Sequence, residues 1–384
     1  MDKLRLCFVG PARAVPLQRW VEWFAARGHE ATVITVEPET IQAAPAFHQV
    51  DVSAPQVLGK LGRILSAARM AAAVRRLNPD LVHVHYIRGL AWGLPLAGGF
   101  PCVATPWGSD VLEEQGAFRE WYSRPLARAV LRRAGTVTVP SAYLEMRVRP
   151  LAPPGTPIVR IGWGVNLTRF RPGLEVGSLR QQWEIGSDRR VIFSPRLARP
   201  FYNHDRVIRA LPAVREKVRE ALLVVGGHSA EPGYVEGLRR LASDLGVADH
   251  VRFLGVVPDS EMPQWFNLAE AVVMVPPSDG LPLTLLEAMA CGAVPVLNRL
   301  PQYAELVRHG TNGFLVDPER GDLAGTLIEA LTAAGIKDAM GRRNRALVED
   351  VADQDREMER MEQYYRKLAG VRPRPAGGQA AWLR

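Results

Sequence analysis

The feature that most constrains this chain is a repeated alternation. Short, predominantly apolar runs are separated by stretches with helical spacing. "LRLCFVG" (residues 4–10) ends in glycine and is followed by "QRWVEWFAARGHE". Then come "ATVITV", an amphipathic stretch over 57–77, "DLVHVHY", a further helix, "PCVATPW", a helix around 118–133 and "GTVTVPS". Strands that are apolar throughout must be covered on both faces, which implies a parallel sheet between layers of helix. Right-handed crossovers then leave a doubly wound α/β domain. The pattern restarts near Val191 with "VIFSPR", a helix from Asp205, "ALLVVGG", a helix from Tyr234, "VRFLG", "AVVMVPP", "AVPVLN" and "GFLV". "GWGVNLTRFRPGLEVGS" between the halves reads as a linker, and "DQDREMERMEQYYRKLAG" as a charged closing helix. The expected division is therefore a Rossmann-like domain over 1–172, a second over 173–352, and a helix and tail over 353–384. That closing helix is expected to pack back toward the first domain. Ligands gather at the carboxyl ends of such strands, so a cleft between two such domains is the expected site.

Composition agrees with this reading. With 384 residues, 47% apolar and 23% charged, each half can bury a core. Only the tail after Gly370 has the composition of a disordered segment. Cys7, Cys102 and Cys291 lie far apart with no CxxC pair, which argues against a disulfide framework or structural zinc and for a reducing compartment. No run of about twenty apolar residues occurs, and the first residues lack the apolar stretch of a signal peptide. A soluble, cytoplasmic protein is expected. Residues 1–172 hold 21 Lys+Arg against 12 Asp+Glu, so the net positive charge of the chain sits in its first half. That surplus is either an ordinary set of solvated helix faces or a surface for anionic lipid, a phosphorylated acceptor or nucleic acid.

The stretch "AVVMVPPSDGLPLTLLEAMACG" reads as strand, turn and helix. Pro282 suits the first helical position, and Gly280 lets backbone approach a ligand. The N–H groups of Leu283 and Thr284 then face out of a helix N-terminus, where an anion is stabilised. Phosphate is the natural occupant. Leu283, Leu286 and Ala290 share the packed face, so Glu287 is expected on a flank one turn below, where a carboxylate can grip a ribose diol. Asp279 in the turn would meet hydroxyls further out. Together these describe a nucleotide-sugar site. The alternative is a surface helix charge at Glu287 and a turn former at Asp279.

The same stretch resembles the signature of glycosyltransferase family 4, retaining enzymes of the GT-B fold, in which two acids bracket seven residues. Here they are Asp279, "GLPLTLL" and Glu287, with Asp where Glu is commoner. "LCFVGPARAVPLQRWVEWFAARGHEATVIT", "NPDLVHVHY", "ATPWGSDVL", "IGWGVNLTRFRP", "SPRL", "LLVVGG", "VRFLGVVPDSEMPQWFNLAEAVVMVPP" and "ELVRHGTNGFLV" follow in the family's order. The resemblance implies that Glu287 binds the donor ribose, Asp279 the transferred sugar, and the backbone around Gly280, Leu283 and Thr284 the diphosphate. It implies that Arg196 neutralises the diphosphate, a role suited to a planar, always-charged fork. Gly255 and Val256 would lie near the nucleobase, and Gly10 near the reaction centre. The expected activity is metal-independent, retaining transfer from a nucleoside-diphosphate sugar, UDP-sugar ahead of GDP-sugar, to a hydroxyl acceptor, without a cofactor. The products would be glycans, glycolipids or small glycosides.

Two departures stand out. The family usually places a lysine shortly after the arginine of "SPRL"; here Tyr202 and Asn203 stand there, leaving Arg199 or His204 to compensate. Many members also carry a histidine where this chain has Trp107, which either stacks on a sugar or packs as core. Asp110 is expected to cap the following helix or to serve the acceptor side. His83 and His85 share a strand face. Packing is expected of them, a sugar contact by His85 is the second reading, and no third ligand completes a metal site. Glu305 reads as an ordinary helix residue. A non-catalytic GT-B protein and a nucleotide-sugar epimerase remain as rivals; a dehydrogenase is disfavoured because "VGPARAVP" lacks GxGxxG. Peripheral contact of the basic first domain with anionic membrane is the second reading of its charge, beside ordinary solvated helix faces, and nucleic acid is not an expected partner.

Overall fold

The computed structural model describes residues 3–37, 47–227, 231–333 and 335–370, so the tail expected to be disordered lies outside the described residues. The chain divides into two compact units. The first holds the described residues up to Pro140, Leu144–Ile161 and the chain from Glu357; the second holds Ser141–Tyr143 and Gly162–Arg356.

The first unit is built on seven strands: β1 (Arg5–Val9), β2 (Glu30–Thr35), β3 (His48–Asp51), β4 (Leu81–His85), β5 (Cys102–Thr105), β6 (Thr136–Val139) and β7 (Ile158–Arg160). All pair in parallel in the order β3-β2-β1-β4-β5-β6-β7. The central strands β4, β5 and β6 are buried at every position, as strands covered on both faces must be. The sequence pattern missed β3 and β7. Both are edge strands of three or four half-exposed residues, so neither has to be apolar.

Four helices follow in order here: α1 (Val15–Ala26), α2 (Gly59–Leu77), α3 (Ser123–Arg133) and α4 (Ala142–Val148). Helix α1 buries Leu17, Trp20, Val21 and Phe24, the i, i+3, i+4, i+7 face, and stops at Gly28 with φ +87°. The helix expected between "DLVHVHY" and "PCVATPW" is a run of 3₁₀ turns over Gly89–Leu96 that contains Pro95. Helix α3 starts at Ser123, five residues later than the pattern suggested.

The second unit carries β8 (Arg190–Ser194), β9 (Ala221–Gly227), β10 (Val251–Val256), β11 (Ala271–Met274), β12 (Val294–Asn298) and β13 (Phe314–Val316), parallel in the order β10-β9-β8-β11-β12-β13. Its helices are α5 (Gly177–Gln182), α6 (His204–Lys217), α7 (Pro232–Asp244), α8 (Met262–Leu268), α9 (Leu283–Ala290), α10 (Pro301–Ala304), α11 (Leu323–Thr332) and α12 (Ile336–Val351). Helix α13 (Gln354–Ala369) is the last described helix. Its Met358, Met361 and Tyr365 join the first unit's core beside Phe8, Trp20 and Phe24. Each such buried side chain contributes roughly 1.5–3 kcal/mol. The Tyr365 hydroxyl also meets His83 Nδ1, tying the helix to β4 through a buried polar contact.

Each sheet reverses its strand order once, between β1 and β4 in the first unit and between β8 and β11 in the second. Loops leaving the carboxyl ends of strands on either side of such a reversal diverge and open a crevice. Gly10, His85 and Tyr86 lie just beyond the first reversal; Arg196 and Asp279 lie just beyond the second.

Candidate functional site

In the second unit, β8 ends at Ser194 and delivers Arg196; β11 ends at Met274 and delivers the turn that holds Asp279. The two side chains meet. Arg196 Nη2 lies 3.0 Å from Asp279 Oδ2, and each side chain is about seven-eighths buried. Tyr303 donates to the same oxygen at 2.8 Å, and the Gly280 N–H donates to Asp279 Oδ1 at 2.7 Å. Gln302 Nε2 donates to the Asp279 carbonyl. The guanidinium also lies 4.7 Å above the Tyr202 ring and donates to the Tyr202 hydroxyl at 3.4 Å. Burial opposes the charge on Arg196, but the Asp279 carboxylate outweighs it and raises the guanidinium above its ordinary range. Burial, then Asp279, pushes the Tyr303 phenol well up, so it stays a donor.

The turn is held from elsewhere in the unit. Leu281 has φ +77°, uncommon for a non-glycine residue, and Trp163 Nε1 donates to its carbonyl at 3.0 Å. Pro282, expected as the first helical residue, takes the cap position instead, with ψ 139°, so the helix starts one residue later. Leu283 and Thr284 therefore open α9, and their N–H groups belong to the first turn, ahead of intrahelical bonding. Helix α9 is buried on every side except at Thr284. Glu287 is thus not on an open flank; it is 3% exposed, close enough to Cys291 that, after burial, its charge raises that thiol.

Asn203, at the position where a lysine was expected, turns its amide to the Val275 carbonyl at 2.8 Å and has φ +55°. It locks the loop before α6 to the end of β11. His204 does not supply the missing cation. It is fully buried between Ser194 Oγ (2.9 Å) and the Leu197 carbonyl (3.0 Å), and burial lowers its pKa to about 4. Arg199 is half exposed and paired with Glu231 at 3.1 Å. Gly255, with φ +71°, and Val256, two-thirds exposed, stand at the end of the edge strand β10, two strands from β8. Glu305 accepts the N–H groups of Ala142 and Tyr143 at 2.8 and 2.6 Å, within the second unit.

In the first unit the candidates converge as well. A Cβ on Gly10 would lie 2.9 Å from the His85 carbonyl oxygen, so only glycine fits between the ends of β1 and β4. His85 is 1% exposed; its Nδ1 accepts from Trp107 Nε1 at 3.4 Å, and burial lowers its pKa to about 3, leaving a neutral ring. Both nitrogens of His83 are engaged, by Tyr365 and by Thr105 at 2.6 Å, so His83 serves packing. Asp110 caps no helix. Its carboxylate accepts the N–H groups of Ile87 (2.8 Å), Trp107 (2.9 Å) and Gly108 (2.9 Å), joining the loops that leave β4 and β5. Burial raises its pKa against those three donors. Tyr86, which sequence reasoning passed over, has φ +71° and receives the Ser109 hydroxyl at 3.4 Å. Beyond β2, β3 and β4 a cavity of about 690 Å³ is lined by Ser53, Ser66, Arg63, Arg69 and Gly89.

Two Rossmann-type parallel sheets, each with polar side chains clustered at its strand reversal, are the architecture of the GT-B fold. Sucrose-phosphate synthase from Thermosynechococcus elongatus superposes with a TM-score of 0.83 at 19% identity, covering 96% of this chain and all of that one. HepE of Anabaena, solved with UDP-glucose, gives 0.79 at 18% identity over 95% of this chain and all of that one. Residues 176–347 match the family model described as "Glycosyl transferases group 1", and residues 5–141 match "Glycosyl transferase 4-like". The GDP-mannose-dependent alpha-(1-6)-phosphatidylinositol monomannoside mannosyltransferase of Mycolicibacterium smegmatis is 31% identical over 366 residues, 89% of this chain and 90% of the relative. The D-inositol 3-phosphate glycosyltransferase of Streptomyces scabiei is 29% identical over 309 residues, 73% of this chain and 68% of that one. The chain belongs to the family 4-type glycosyltransferases.

Proposed function

We propose that this protein is a retaining, metal-independent glycosyltransferase that moves a hexose from a nucleoside-diphosphate sugar to a hydroxyl on a phosphate-bearing acceptor. The observation that carries the reading is the buried Arg196–Asp279 pair at the strand reversal, beside the first turn of α9. Arg196 and the N–H groups of Leu283 and Thr284 would stabilise the diphosphate as its bond to the sugar breaks. The acceptor oxygen attacks the sugar carbon from the same face, and its proton passes to the leaving phosphate oxygen. The chain then contributes positioning and charge rather than a covalent intermediate. Asp279, held by Tyr303 and Gly280, meets the transferred sugar, and Glu287 the ribose. Gly255 and Val256 lie on the base side, and Gly10, Trp107, Asp110 and His85 on the acceptor side.

The sequence favoured a UDP-sugar. The 31% identical relative is, by name, GDP-mannose-dependent, and the nearer sequence relation gives that donor precedence. Two relatives act, by name, on inositol-containing phosphates, and the cavity lined by Arg63 and Arg69 suits a phosphate-bearing head group. The cationic surplus of the first 172 residues supports peripheral contact with anionic membrane from the cytoplasmic side.

Thermal-shift titration with GDP-mannose, UDP-glucose and ADP-glucose tests the donor, since binding raises apparent stability by mass action. GDP-mannose is expected to give the largest shift, and Glu287→Ala to abolish most of it. A larger shift with UDP-glucose would restore the first expectation. The commitment of Asn203 to a backbone carbonyl favours one rival, a binding protein without activity. Slow release of free sugar from the donor would exclude that rival.

A further inference from the structure

We infer that the outer face of α2, together with the Trp121 loop beside it, is the surface that seats this protein on an anionic lipid bilayer. This rests on the peripheral reading above and specifies which side chains enter the lipid.

Helix α2 and the 3₁₀ turn before it expose Val57 (89%), Leu61 (68%) and Ile64 (65%), with Leu58 and Leu65 beside them. Leu61, Ile64 and Leu65 stand at i, i+3 and i+4 on α2, a single stripe, and Val57 and Leu58 lead into it from the 3₁₀ turn. The stripe is not a core face left over. The helix already packs through Gly62, Ser66, Ala67, Met70, Ala71 and Val74, which are buried. Trp121 is 87% exposed, and its chain neighbour Glu120 meets Lys60 at 3.6 Å and Arg63 at 3.8 Å, which brings the Trp121 loop beside the start of α2.

Charge selects the occupant. From Val52 to Pro79 there is no Asp or Glu, while Lys60, Arg63, Arg69, Arg75 and Arg76 are all exposed. An apolar stripe flanked by cations and one interfacial tryptophan matches a bilayer with anionic head groups, which offers acyl chains to the first and phosphates to the second. A second copy of this chain would bring the same cations against themselves. No helix among the described residues is long and apolar enough to cross a membrane, so the contact is one of lying on the surface.

The test uses the full chain, co-sedimented with vesicles of phosphatidylcholine alone or mixed with phosphatidylglycerol. The wild type is expected to bind the mixed vesicles and to lose most binding in high salt. Leu61→Asp with Ile64→Asp should lower partitioning at least roughly tenfold, and Trp121→Ala severalfold, while nucleotide-dependent thermal shifts stay unchanged as proof of folding. If those variants bind mixed vesicles as well as the wild type does, this face is refuted while peripheral binding stands. If the wild type binds neither vesicle, both readings fall. If the wild type is a dimer in light scattering and the double variant a monomer, the face belongs to a second copy and the lipid assignment is overturned.

Discussion

Replacing Arg196 with methionine probes the candidate site most directly. At 3.0 Å and an effective dielectric of about 20, the attraction between Arg196 and Asp279 is on the order of 5 kcal/mol before desolvation is counted. Removing the cation leaves Asp279 with the Tyr303 hydroxyl and the Gly280 N–H, two neutral donors for a largely buried carboxylate. Breaking one partner of such a pair costs about 3–5 kcal/mol. For a unit of this size that corresponds to a fall in Tm of roughly 6–20 °C, followed by scanning calorimetry. Asp279→Asn alone leaves an unpaired guanidinium, and the double variant leaves neither charge. The double variant should therefore be less destabilised than the sum of the singles, by about 0.5–3 kcal/mol. Binding of a nucleoside diphosphate, by titration calorimetry, should weaken about 10- to 150-fold in Arg196→Met through loss of a charge-assisted contact. Asp279→Asn should leave that affinity unchanged or tighter, because it frees Arg196. A coupling energy indistinguishable from zero, or equal diphosphate affinity in Arg196→Met and wild type, would refute the reasoning.

Tyr303→Phe removes one of the donors to Asp279 without opening a cavity and should destabilise by about 1.5–3 kcal/mol in thermal melts. Asp110→Asn places an amide among three backbone N–H donors that a carboxylate satisfied; a loss of about 1–3 kcal/mol and a raised acceptor KM with little change in donor KM are expected from steady-state kinetics. His204 is neutral when folded, with a pKa near 4 against an ordinary 6.5. The unfolded chain takes up the proton first as pH falls, so the full contribution stands above pH 6.5 and is lost on the way down to about pH 4, to the extent of about 3 kcal/mol. Tm measured over that range should fall more steeply for wild type than for His204→Gln.

Much of the fold was legible because parallel strands buried on both faces must be largely apolar: β9 and β11 are so at every position, and β1, β4 and β8 are interrupted only by Arg5, by His83 and His85, and by Arg190 and Ser194. The edge strands β3 and β7 were not legible, since half-exposed pairing leaves no such mark. The turn from Ser278 and the helix after it were placed from Gly280 and Pro282, with an error of one residue at the helix start. Glu287 was expected on a flank. Its position on the helix could be counted, but the density of neighbours around α9 could not, and that density buries it.

The chain's own order of residues determined that two parallel sheets form and that Arg196, Asp279 and the start of α9 all sit where strands end. Periodicity and turn chemistry act over a few residues, and those residues are adjacent in the chain. Which groups then touch was decided by tertiary structure alone. Asp279 is held by Tyr303, 24 residues on, and the Leu281 carbonyl by Trp163, 118 residues back. Asp110 binds three backbone amides instead of capping a helix, and Asn203 turns to Val275. Those partners come together through strand order and loop register, and a strand reversal brings into contact segments that no local pattern links.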